Sequence, residues 1–116
     1  MYPFVPGERL TYNLSWGVFS VGKVVIEVSG PISVNEIPCY KFSFNVKSNK
    51  FTDTFYKVRD QINGYVDLEL KRSIHYTKKQ SEGNHKRDVI VDFDWKAKRA
   101  QYTNFGQVHE AVPLPE

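Results

Sequence analysis

A two-residue alternation recurs along this chain and leaves few folds open to it. Leu10, Tyr12, Leu14 and Trp16 alternate with Thr11, Asn13 and Ser15, the period of a strand with one covered face. Tyr40, Phe42, Phe44 and Val46 alternate with Lys41, Ser43, Asn45 and Lys47, and Val89, Val91, Phe93 and Trp95 with Asp88, Ile90, Asp92 and Asp94. Between the first two runs, Val24, Ile26 and Val28 share one side of a run from Val18 to Val28. Side chains spaced in this way gather on one face of a sheet and cannot gather on one stripe of a helix.

The punctuation between runs predicts short connections. Pro3 and Pro6 form a stiff lead-in, and Pro6-Gly7 reads as a turn. Gly17 breaks the first strand from the second, and Ser29-Gly30-Pro31 is expected to close the second, since proline donates nothing to a ladder. Asn35 to Pro38 has turn chemistry, and the strand from Cys39 to Lys47 is expected to pair with Val18–Val28 as a hairpin. Phe51, Phe55, Val58 and Ile62 have helical spacing, while Tyr56, Val58 and Ile62 fit a strand. The expectation is a short helical turn near Thr52–Phe55, then a strand to about Ile62. Asn63-Gly64 reads as a turn, and Tyr65 to Leu68 as a turn or a strand stub. Strands follow over Arg72–Gln80, with Ile74 and Tyr76 inward, over Arg87–Trp95 and over Arg99–Thr103. They are separated by a loop at Ser81–Asn84 and a turn at Lys96–Lys98; Asn104-Phe105-Gly106 ends the last. Consecutive strands with short loops imply an all-β antiparallel meander with at most one short helical turn.

Little in the chain points to catalysis. His75, His85 and His109 lie far apart, with no cysteine or histidine at metal-ligand spacing, so neither a metal nor a cofactor is expected. Asp92 and Asp94 are neighbours on one face. They suit acid–base work, with Asp60 as a further carboxylate, or the binding of a cation, or, more simply, pairing with Lys78 and Arg99. Cys39 follows Pro38 and reads as a small hydrophobe. No nucleophile elbow and no glycine-rich phosphate loop is present. The expectation is a non-enzymatic protein. No apolar run approaches the ~20 residues of a membrane-spanning helix.

Charge is uneven. Lys71 to Arg99 holds nine basic residues against four acidic ones, a net +5; the whole chain is +3, so the remainder carries −2. Two readings follow: a solvated outer face with basic hairpin tips, or a landing patch for an anionic partner. Aromatic residues make up 15% of the chain, and aromatic sheets can stack bases. Such platforms interleave rings with Lys or Arg on one exposed face. Here the rings share faces with Val and Ile, which argues against nucleic acid. A sheet of about seven strands with one continuous apolar face must cover it, by closure, a helix, a partner or a ligand. No long helix is available. The sheet is therefore expected to curve strongly, as a half-barrel or incomplete barrel. Tyr40, Phe42, Phe44, Val91, Phe93 and Trp95 are the candidate lining of a concave aromatic face that holds a lipid or another apolar ligand. The alternative is an assembly module, a homodimer included, joined through that face or a sheet edge.

Pro3-Phe4, the run Gly7-Glu8-Arg9-Leu10-Thr11-Tyr12, Ser15-Trp16-Gly17 and Val21-Gly22 resemble the opening of a bacterial family of exported proteins, domain of unknown function 3108. Tyr56 to Asp60, Asp67, Glu82-Gly83 and Asp92-Phe93-Asp94 are similar to its middle. The resemblance covers most of the chain, and its motifs are structural, silent on activity. It implies an exported, periplasmic or cell-envelope location, although no signal peptide is legible at the start of the chain. Family members commonly continue past the equivalent of Val112–Glu116. Residues 1–116 are thus expected to form one β domain, shortened at its C-terminus relative to the family.

Overall fold

The computed structural model describes residues 6–108 and 111–114. Pro3 of the lead-in and His109 lie outside them. One antiparallel sheet accounts for nearly everything described: β1 (Arg9–Trp16), β2 (Phe19–Val34), β3 (Ile37–Ser48), α1 (Lys50–Asp53), β4 (Arg59–Asp67), β5 (Ser73–Glu82), β6 (His85–Asp94), β7 (Arg99–Asn104), β8 (Gln107–Val108) and β9 (Val112–Pro113). The strands lie side by side in chain order from β1 to β8, with β9 returning to pair with β7. The sheet is curved but not closed. It is the expected meander, with α1 as its single helical turn.

Register sorts the side chains. Tyr12 faces Val24, which faces Val46; Leu10, Ile26, Phe44 and Ile62 form the next row. Val28, Phe42, Gly64, Tyr76, Val91 and Tyr102 form the third. Residues in register across neighbouring strands point to the same side, so these rows make one apolar face. The other side carries Ser43, Asn63 and Thr77 in one row. There Ser43 Oγ donates to Asn63 Oδ1 (2.8 Å) and Asn63 Nδ2 to Thr77 Oγ1 (3.3 Å).

Two turn expectations are corrected. Asn63-Gly64 lies in the middle of β4, where Asn63 binds neighbours on both sides through its side chain. With ladder partners on each flank, the local turn preference loses. Pro31 does not end β2. The strand passes through a cis Gly30–Pro31 bond, and its register with β3 shifts between Ser29 and Ile32; such an irregularity is where a residue without an N–H fits a ladder. The turn that follows is only Asn35-Glu36, both at positive φ (51° and 67°), the backbone of a tight two-residue hairpin. Ile37 and Pro38 already belong to β3.

A meander sends alternate turns to opposite ends of its sheet. Gly17-Val18, the α1 segment, Gly83-Asn84 and Phe105-Gly106 lie at one end, and Asn35-Glu36, 68–72 and 95–98 at the other. This divides the basic segment seen in the sequence. Lys71, Arg72, Lys96, Lys98 and Arg99 go to the second end and Lys86 and Arg87 toward the first. Lys78 faces the apolar side and Lys79 the opposite one. The nine basic residues therefore make no single landing patch.

Candidate functional site

The apolar face is the feature that a chain of this kind has to account for. Among the described residues the buried apolar core is small: Val28, Cys39, Ile74, Val89 and Ala100. Phe44, central on the face, stays 39% exposed, and Leu10 and Tyr12 beside it are more open still. Sixteen-residue β2 and twelve-residue β3 hold this surface rigidly, paired along nearly their whole lengths.

Tyr40, Phe42 and Phe44 project from β3, and Val91 and Phe93 from β6, on the same side. Phe42 and Val91 share one cross-strand row, separated by Gly64 and Tyr76. A Cβ at Gly64 would meet nothing within 4 Å, so this glycine leaves a hollow between two rings. Trp95 lies past the end of β6, in the turn before β7. Its Nε1 donates to Ser73 O (2.8 Å), and the Arg72 guanidinium stands 4.8 Å from its ring centre. With Phe93 and Ile74 it borders a cleft of about 500 Å³ at the end away from α1. At the α1 end, Leu14, Val46, Tyr56 and Val58 enclose a smaller apolar hollow of about 130 Å³.

The polar residues singled out in the sequence are distributed differently from the pairing expected of them. His75 is not isolated: its Nδ1 is hydrogen-bonded to Asp92 Oδ1 at 2.6 Å. Asn35 Nδ2 also reaches Asp92, at 3.4 Å. Lys78 cannot meet Asp92, because it points to the other side of the sheet. Arg99 is in register with Asp94, whose Oδ1 caps the turn by accepting from Ala97 N–H. Asp60 is on the apolar side, in register with Val46, and so stands apart from Asp92 and Asp94. The three carboxylates do not converge.

Asp60 has a partner that spacing did not reveal. It shares a hydrogen bond with Glu82, and burial together with that bond raises its pKa; the same bond, aided by Gln80, lowers that of Glu82. Two carboxyls this close titrate as a coupled pair, which moves one up and the other down. The pair arises because the isolated bridge between Val58 and Glu82 carries the end of β5 to the start of β4, a contact no local pattern encodes. Cys39 is fully buried, its thiol directed at Ile37 O, and burial pushes its pKa up, as fits the small hydrophobe expected. No cluster of three metal-ligating side chains occurs among the described residues. No helix among them is long and apolar enough to cross a membrane.

The class that this geometry defines is an all-β protein with a single-layer meander and an open apolar face. Residues 11–116 match the family described as "Protein of unknown function (DUF3108)", and the chain belongs to that family. None of the curated proteins or solved structures compared with it matches.

Proposed function

We propose that the chain is a non-enzymatic, exported cell-envelope protein that holds an apolar or amphipathic ligand, such as a lipid acyl chain, against its apolar face. The observation that carries this reading is the row Phe42–Gly64–Tyr76–Val91, rings and a branched aliphatic flanking an unfilled hollow on a face whose centre remains open. Apolar surface of this extent on one side of a sheet is favourable only when covered, at about 25 cal/mol per Å². Phe44 and the hollow at Gly64 give an acyl chain both a wall and a seat.

Titration with a fluorescent fatty acid tests it, together with native mass spectrometry of the purified protein. The expected result is saturable binding and a co-purifying lipid mass. Phe44→Glu, which puts a charge on the face, and Gly64→Phe, which fills the hollow, should each weaken binding by about tenfold or more, the equivalent of about 1.4 kcal/mol. Undiminished binding by both variants, or none by the parent, refutes the reading.

A second reading is favoured by the edge of the sheet. All eight residues of β1 are exposed, and among the described residues the strand has a hydrogen-bonded neighbour on one side only. An unpaired edge of this length is a template for another strand, which makes assembly with a second chain the alternative use of the same surface.

A further inference from the structure

The two ends of the sheet differ in a way that the ligand face does not explain. At the end away from α1 the exposed turn residues are mainly polar (Asn35-Glu36, Glu69 with Lys71, Lys96 and Lys98), while Leu68, Leu70 and Trp95 are half-buried. At the α1 end three of the four turns present large apolar side chains to solvent, the exception being Gly83-Asn84. The β1–β2 tip carries Trp16 at 83% exposure and Val18 at 94%, with Phe19 beside them. The α1 segment adds Phe51 and Phe55, 5.5 Å apart in edge contact and both well exposed. Phe105 and Val108 follow at the β7–β8 turn.

These side chains do not hang on loose loops. Asn49 Nδ2 donates to Ser20 O (2.6 Å) and its backbone N–H to Val21 O (3.0 Å), tying the α1 segment to the β1–β2 hairpin. Asn49 Oδ1 also caps α1 by accepting from Thr52 N–H. Tyr56 joins the same end to the β5–β6 turn through its hydroxyl, which donates to Glu82 O (3.1 Å). The apolar tip is therefore a fixed rim.

Behind the rim is positive charge. A cleft of about 560 Å³ opens between the hairpin and α1, with Lys23, Lys47, Lys50 and Arg59 on its walls. Asp53, the carboxylate in that cleft, is bound by Arg59. Among the described residues, Lys23, Lys47 and Lys50 make no ion pair. Aromatic and aliphatic side chains at the tip with unneutralised lysines one layer back match the depth profile of a bilayer surface. Rings seat at the boundary of headgroups and acyl chains, and ammonium groups meet the phosphates.

We infer that the α1 end of the sheet docks into the surface of an anionic phospholipid bilayer, with Trp16, Val18, Phe19, Phe51 and Phe55 entering the interface and Lys23, Lys47 and Lys50 engaging headgroup phosphates. This surface is separate from the proposed ligand face and does not depend on it.

Flotation with phosphatidylcholine vesicles, with and without phosphatidylglycerol, tests the inference, with tryptophan fluorescence in vesicles of brominated phosphatidylcholine and phosphatidylglycerol as the positional readout. The chain has two tryptophans, one at each end of the sheet. The expected result is flotation that needs phosphatidylglycerol and falls with salt. Trp16 in the Trp95→Phe variant should shift to the blue and be quenched by bromine, and Trp95 in Trp16→Phe should not. Lys47→Ala and Lys50→Ala should each lower partitioning by about fivefold. Val18→Asp and Phe51→Asp alter exposed positions, so circular dichroism should be unchanged while flotation is lost. Phe44→Glu should lose fatty-acid binding and still float, which separates failure of the ligand reading from failure of this one. Absence of flotation by the parent, equal quenching of both tryptophans, or loss of flotation in Phe44→Glu with retention in Val18→Asp overturns the inference. So does a rim that captures only a protein, with no partition into vesicles.

Discussion

Asp53 and Arg59 form a two-point, charge-assisted contact. Arg59 Nη2 donates to Asp53 Oδ2 at 2.7 Å and Nη1 to Oδ1 at 3.1 Å, and Ser48 Oγ adds a further hydrogen bond to the same carboxylate. The hydrogen bond from Arg59, then that from Ser48, lowers the Asp53 pKa from the ordinary 3.8 to about 2. A folded pKa below the unfolded one means that the unfolded chain binds the proton more readily. The stabilisation is present in full above the ordinary value and is lost as pH falls toward about 2. Thermal melts of Asp53→Asn should therefore lie below the parent near neutral pH and converge with it as pH falls from about 4 to about 2. A constant offset would mean that the carboxylate's charge is not what anchors α1. At this scale the sequence was partly readable. Lys78 shares the parity of Tyr76, so its spacing already turned it inward, away from Asp92. That His75 would stand opposite Asp92 required the register of β5 on β6, which two patterns read separately do not supply.

Strands have their own determinants, and two glycines separate them. Gly22 opposes Ser48 in β2–β3, and a Cβ there would lie 2.3 Å from Lys47 O and 2.9 Å from Ser48 Cα. Both are backbone atoms that can move only by parting the two strands. Gly22→Ala should cost about 1–3 kcal/mol, the scale of overpacking, and lower Tm by several degrees. Gly64 meets open space, and glycine within a strand costs roughly 0.5–1 kcal/mol relative to alanine. Gly64→Ala should leave Tm unchanged or raise it. Equal losses in both variants, measured by calorimetry, would contradict this difference between them. The alternating runs made β1, β3 and β6 legible because their period comes from half-burial itself. β2 and β4 were cut short in the sequence by Pro31 and Asn63-Gly64, local signals that are overridden where pairing continues on either side. Between Ser48 and Arg59 the competing periods both had a basis: α1 takes Lys50–Asp53, and β4 begins only at Arg59.

Across the whole molecule, one layer replaces the usual two. The Cα radius of gyration is 16.5 Å and the principal extents are 49 × 37 × 21 Å, against a radius of roughly 13 Å for a compact chain of this length. Solution scattering of a monomer should reproduce the larger radius. A dimer joined face to face would double the mass and thicken the shortest dimension, with little growth of the longest. A dimer joined through β1 would lengthen the sheet across its strands. Light scattering across a concentration series, read with the scattering profile, distinguishes these states, and a compact monomer near 13 Å would contradict the open sheet. The meander and its apolar side could be read from the chain because each strand meets its successor. What lies over that side is not encoded in any periodicity.

No hydrogen bond joins β1 to β8 or β9, so ring closure does not set the bend of this sheet. A closed barrel has its girth fixed by strand number and stagger; an open one can widen or narrow at its seam while every ladder stays intact. Under the proposed ligand reading, such a molecule would accept slim and bulky chains alike by changing its own radius, with little selection by thickness.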